Sequence, residues 1–198
     1  MINLVRTRNS LMKNGFISEI FETGAEARDY FMNFIKPGRT VAVAGSVTLE
    51  ELDIYNSLKE KGADVSMHWL DRDYQSSMMK SHMADFFVTS ANAVTEDGQI
   101  LMVDYYGNRI SAVTFGKKKV FFFVGRNKVV TDVNSGFNRS LIIAQPQNFK
   151  RMELESLKKN MRLDFDRQED TNIMELTLKH GPKFQDTYVF LINEDLGY

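Results

Sequence analysis

The residues of this chain that could do chemistry cluster where short apolar runs end. Gly45 ends the run 40–45 and Ser46 and Thr48 follow it, where a strand is predicted to turn into a helix. Free backbone donors and the helix dipole at such a place favour a phosphate or carboxylate. The structural alternative is a plain helix cap, with Thr48 and Glu51 forming a capping box. Ser90, Asn92, Thr95, Glu96 and Asp97 lie in the polar stretch 90–98, after the run 85–89. Asn92 and Thr95 have groups that orient a ligand. Glu96 and Asp97 are the catalytic candidates, because carboxylates exchange protons or attack carbonyls when burial or neighbours shift their pKa. An amide such as that of Asn92 does neither. Against the catalytic reading, Asp97-Gly98 is a tight-turn dipeptide, and turn carboxylates are usually solvated. Asn108 and Arg109 follow Gly107 at a predicted helix start, and Arg126, Asn127 and Lys128 follow Gly125 at a strand end. Arg offers a planar fork to a carboxylate or phosphate, and Lys a mobile point charge. Two such motifs could close over one anion, or pair with surface carboxylates instead. His68, His82 and His180 have no metal-ligand spacing, so no metal site is expected.

Composition narrows the classes. A chain of 198 residues suffices for one domain, 1–198, with a full core. Lys+Arg 25 against Asp+Glu 26 leaves a net charge of -1, which gives no global field toward nucleic acid or anionic membrane. The absence of cysteine excludes disulfides, thiolate nucleophiles and cysteine-bound iron–sulfur or zinc sites. No run approaches the ~18 apolar residues of a membrane span, and the N-terminus lacks a signal-peptide core. A soluble, cytoplasmic protein is the expectation.

The elements that must position these residues are legible as alternating patterns. Residues 2–14 have helical spacing, and 16–21 reads as a strand. Thr23 and Glu26 fit a capping box ahead of the stripe Ala27, Tyr30, Phe31, Phe34 and Ile35. The run 40–45 predicts a strand, and Leu49, Leu52, Tyr55 and Leu58 predict the inner face of one helix. Residues 63–69 predict a strand, and 71–83 a short helix or a loop. Helical turns over 108–115, a buried strand over 120–124, a helix from about Asp132 and another over 149–163 follow. Lys117, Lys118 and Lys119 precede their strand, and so read as a solvated turn at the opposite edge from the strand ends. Met174, Leu176 and Leu178 alternate with polar residues as in a half-exposed strand, and 187–192 is a final apolar strand. Short links between strands and helices predict an α/β fold, a mostly parallel sheet flanked by helices with antiparallel C-terminal strands. In such a sheet ligands sit outside the carboxyl ends of strands.

Five ordered motifs carry a resemblance. They are Val41-Ala42-Val43-Ala44-Gly45-Ser46-Val47-Thr48, Ala84 through Gly98, Gly107-Asn108-Arg109, Val124-Gly125-Arg126-Asn127-Lys128 and Ile192-Asn193-Glu194-Asp195-Leu196-Gly197. Together they resemble the LUD family of lactate-utilisation proteins, from about residue 5 onward. The resemblance implies a fold related to ribose-5-phosphate isomerase, glucosamine-phosphate deaminase and CoA transferases, and a part in lactate oxidation beside iron–sulfur and oxidoreductase-like partners. It also implies that Asn193-Glu194-Asp195 packs toward the central site, where Glu194 could accept a bond from Arg109 or Lys128. Many close relatives carry a cysteine cluster where this chain reads Arg162 through Asp170, so no redox or metal role at that place transfers. Methylthioribose-phosphate isomerases have a comparable central segment, but an acidic position there looks like Asn92 here and their catalytic cysteine is missing.

The resulting expectation is a protein that binds a small anionic metabolite (organic acid, sugar phosphate or CoA ester) at the strand carboxyl ends. Gly45, Ser46, Thr48, Ser90, Asn92, Thr95, Asn108, Arg109, Gly125, Asn127, Lys128 and Glu194 are its binding residues. The alternatives are an isomerase or transferase using Glu96 or Asp97, and a non-catalytic subunit of an oxidoreductase complex. The expected partners are the metabolite and either lactate-oxidising proteins or further copies of the chain; neither nucleic acid nor membrane is expected. The cofactor is left unspecified.

Overall fold

Alternation of period two in the run 119–125 decides where the sheet lies. Phe121 and Phe123 enter one apolar cluster, Val120, Phe122 and Val124 another, and all five are fully buried. A strand buried on both faces must sit inside a sheet covered on both sides. The computed structural model describes residues 3–70, 73–116, 119–159 and 167–198. In chain order its elements are α1 (Leu4–Lys13), β1 (Ile17–Phe21), α2 (Gly24–Met32), β2 (Thr40–Val43), α3 (Val47–Glu51), α4 (Ile54–Glu60), β3 (Asp64–Ser66), α5 (Tyr74–Met83), β4 (Phe86–Thr89), β5 (Ala93–Thr95), β6 (Ile100–Asp104), α6 (Asn108–Thr114), β7 (Lys119–Gly125), β8 (Val129–Val130), α7 (Val133–Arg139), α8 (Gln145–Lys159), β9 (Met174–Leu178) and β10 (Asp186–Ile192). A 3-10 turn, Arg126–Lys128, joins β7 to β8, and a π-helical turn, Ser140–Ala144, joins α7 to α8.

The main sheet has six strands in the order β1-β10-β7-β4-β2-β3, every pair parallel. A second sheet, β8-β5-β6-β9, is mixed: β5 and β9 run antiparallel to β6, and β8 runs parallel to β5. Helices α2, α3 and α4 cover one face of the main sheet through Phe31, Leu49, Ile54 and Leu58. The other face packs on α1, α6 and the second sheet through Leu11, Ala112, Ile100 and Met102. The α/β reading with a parallel sheet flanked by helices is what the chain forms. Antiparallel pairing is confined to the second sheet; β10 itself lies parallel between β1 and β7. Its run Val189 to Ile192 is fully buried, as a central strand requires.

Local differences have local causes. The helix expected over Leu49 to Leu58 is two helices, broken at Asp53, whose φ of 51° is left-handed. The strand expected over 63–69 ends at Ser66, and the chain turns through His68 and Trp69. Helix α8 begins at Gln145, and its Leu154 and Leu157 face outward. The far end of the helix expected to 163, with Met161, lies outside the described residues. So do Lys117, Lys118 and Arg162 to Asp166. Lys119 opens β7 and pairs with Asp186 at 2.6 Å. Among the described residues no helix is long and apolar enough to cross a membrane.

Candidate functional site

Twice the chain leaves the main sheet for the second one, and both crossings leave from carboxyl ends of strands. The first runs from β4 through Ser90, Ala91 and Asn92 into β5. The second runs from β7 through Arg126, Asn127 and Lys128 into β8. Because β4 pairs with β7 and β5 pairs with β8, the two crossings lie side by side. Helix α3, entered from the end of β2, supplies a third wall. The pairing of short strands therefore brings together residues that are 38 and 80 positions apart.

Lys128 is the centre of this arrangement. It is 3% exposed, and its Nζ donates to Thr48 Oγ1 at 2.8 Å and to Ser90 Oγ at 3.1 Å. The hydrogens of both hydroxyls are committed elsewhere, that of Thr48 to the Leu196 carbonyl and that of Ser90 to the Ala91 carbonyl. Two acceptors suit a neutral amine, which has two N–H groups and a free lone pair. An ammonium has a third N–H, and among the described residues Nζ makes no third hydrogen bond. The pKa agrees. Burial pushes the amine down from 10.5 to about 7; the Arg139 and Arg109 cations push the same way, and the Glu51 carboxylate opposes them.

Arg139, which the sequence reading missed, is the second buried cation. Its Nε donates to the Asn127 carbonyl at 2.8 Å and its Nη1 to the Asn92 carbonyl at 2.9 Å, so it ties the two crossings together. Burial lowers its pKa, though a guanidinium stays charged in proteins. One signal was available. Gly136 inside α7 lies three residues before Arg139, and a Cβ there would come within 2.1 Å of Leu101. A mid-helix glycine of that kind marks the face that approaches another element, and Arg139 shares it.

A C-terminal segment, 193–198, covers the cluster. Gly197 has φ 57°, and a Cβ on it would lie 2.5 Å from Thr48 Oγ1 and 3.4 Å from Lys128 Nζ. Glu51 accepts from the Gly197 amide at 2.7 Å. Asn127 donates to the Gly197 carbonyl at 3.1 Å and accepts from the Leu196 amide at 3.1 Å. Gly125 makes room for this segment, because a Cβ there would meet Leu196 N at 2.7 Å and Glu194 O at 2.9 Å. Gly45 similarly lies under the indole of Trp69, at 2.2 Å from a built Cβ. The Arg151 guanidinium stacks on that indole at 4.0 Å and donates to the Tyr198 hydroxyl at 3.0 Å.

The sequence-selected residues thus divide. Thr48, Ser90 and Lys128 meet directly. Asn92 and Asn127 frame them, although the Asn92 side chain itself accepts from the Val103 amide within the β5–β6 hairpin. Arg109 is close enough to act on Lys128 by its charge, but its side chain is held by Asp104 and the Val103 carbonyl, with Asn108 beside it at the start of α6. Ser46 is the residue preceding α3 and makes no side-chain capping bond. Thr48 lies inside that five-residue helix rather than at its cap, so the expected capping box is absent and Glu51 serves the covering segment instead. Thr95, Glu96 and Asp97 stand apart. Thr95 bonds to Asp97 and Gln99 in the hairpin turn, while Glu96 accepts from the Asn3 amide at 3.0 Å and faces Arg6 of α1. Glu194 accepts from the Gly24 amide at 2.8 Å, and not from Arg109 or Lys128. Among the described residues no group of three or more His, Asp or Glu is placed to hold a metal. An open hollow beside Asn3, Arg6, Asn9 and Lys13 is lined by α1 and its cap residue alone and shares nothing with the Lys128 cluster.

The sequence model of the LUD domain family matches residues 4–192. Among solved structures, a DUF162 family protein from Deinococcus radiodurans is similar at 15% identity, with 96% of this chain and 95% of that chain covered and a TM-score of 0.55. At that identity the likeness concerns the fold. No curated protein matches. On the family match, this chain belongs to the LUD domain family.

Proposed function

We propose that this LUD-domain chain binds a small anionic metabolite, an organic acid before a sugar phosphate or a CoA ester, at the cluster around Lys128, in lactate or related organic-acid metabolism. The observation that carries the reading is a buried lysine with one more donor in its charged form than it has acceptors. An incoming carboxylate supplies the missing acceptor, and Arg139 and Arg109 add positive potential from two further elements. Where the carboxylate accepts from the amine itself, binding draws a proton onto Lys128, since an anion beside an amine raises its pKa. Entry requires segment 193–198 to shift.

Thermal unfolding with lactate, pyruvate, phosphate or acetyl-CoA, on the native chain and on Lys128→Met, tests the reading. The native chain is expected to gain stability with at least one small acid, and Lys128→Met to gain none. The variant itself should fold at least as well, because it replaces a desolvated amine with an apolar side chain of similar length. Equal stabilisation of both proteins by the acid would refute the site.

A further inference from the structure

We infer that Lys128 forms an imine with the carbonyl carbon of a small 2-oxo acid held at this site. The inference rests on the binding reading above and adds the chemistry of the occupant. Both N–H groups of the neutral amine are engaged by Thr48 and Ser90, which leaves the nitrogen lone pair as the unused valence at the centre of the cluster. Amine nucleophiles are activated by burial and by neighbouring cations, and both conditions hold here. The charged groups acting on Lys128 are Arg139 from α7, Arg109 from α6 and Glu51 from α3. Arg139 uses Nε and Nη1 on the crossings, and its Nη2 has no partner among the described residues. A 2-oxo acid whose carboxylate takes that Nη2, instead of the amine, would leave Lys128 neutral and its lone pair open to the adjacent oxo group. A hydroxy acid offers the same carboxylate and no electrophile.

The step balances without an oxidant. The Nζ lone pair adds to the carbonyl carbon, and the carbonyl oxygen takes up a proton while nitrogen gives one up. The C–O bond of the carbinolamine then breaks, the oxygen leaves as water, and a C=N bond remains. The hydroxyls of Thr48 and Ser90 already contact Nζ, and can pass a proton from nitrogen to the departing oxygen once they turn from the Leu196 and Ala91 carbonyls.

Reductive trapping tests this on the full chain. The protein is incubated with pyruvate or glyoxylate and cyanoborohydride, and the modified residue is located by peptide mass mapping. One adduct per chain is expected, on the peptide that carries Lys128, none with lactate, and none in Lys128→Met. Locating the adduct on the unmutated chain keeps the test independent of the variant's folding. No adduct at Lys128, or adducts spread evenly over surface lysines, overturns the imine. If lactate and pyruvate both stabilise the fold without trapping, the anion site stands and the imine falls. If neither acid stabilises and nothing is trapped, both fall together.

Discussion

At the scale of single residues, the consequences of burying Lys128 can be given a sign. Its pKa drops from 10.5 to about 7 on folding, so between those values the unfolded chain holds a proton that the folded chain has released. Stability contributed by this residue therefore rises with pH across that window, and the cost of the charged amine is fully present below it. The difference in unfolding free energy between the native chain and Lys128→Met should narrow or reverse from pH 7 toward pH 10; a difference independent of pH would contradict the assignment. Glu96 makes the opposite case. It serves the hairpin and α1, so Glu96→Gln is expected to cost about 1 kcal/mol or less and to leave acid-induced stabilisation unchanged, as thermal shifts would show. Lys128 could be picked from the sequence as a cation after a strand. Its burial could not, because the hydroxyls that receive it come from Thr48 and Ser90, far away in the chain.

Elements show the same limit from another side. Thr23-x-x-Glu26 and Thr48-x-x-Glu51 have identical spacing, yet only the first is a capping box, with the Thr23 hydroxyl accepting from Glu26 N at 3.2 Å and Glu26 returning a bond to Thr23 N at 3.2 Å. The second pair is diverted by partners from other elements, Lys128 and the Gly197 amide. Local pattern settles a cap only where nothing distant competes for the side chains. Thr23→Ala should thus lower stability by about 1 kcal/mol without touching ligand binding. Thr48→Val removes an acceptor from Lys128 and the bond to Leu196, and should reduce both stability and acid-induced stabilisation; chemical denaturation with and without pyruvate separates the two. Gly125→Ala places a Cβ against backbone atoms of the covering segment, which cannot yield as a flexible side chain would. A loss of about 1–3 kcal/mol is expected, together with faster amide exchange at residues 194–197.

Over the whole molecule, the order of the main-sheet strands was readable because its central strands are continuous apolar runs, and α2 because it carries an apolar stripe. The second sheet was not, because β5 has three residues and β8 two, too few to show any period. That sheet is what makes the site, since it draws both crossings off the main sheet side by side. The outcome is a LUD-domain fold whose polar centre is a lysine shielded from water by the chain's last residues. Isotope-labelled lysine side chains, followed by NMR through a pH titration, test this most directly. One lysine, absent from the spectrum of Lys128→Met, should titrate near 7 in the free protein and move upward when lactate binds. A spectrum in which every lysine titrates near 10.5, with or without the acid, would contradict the account.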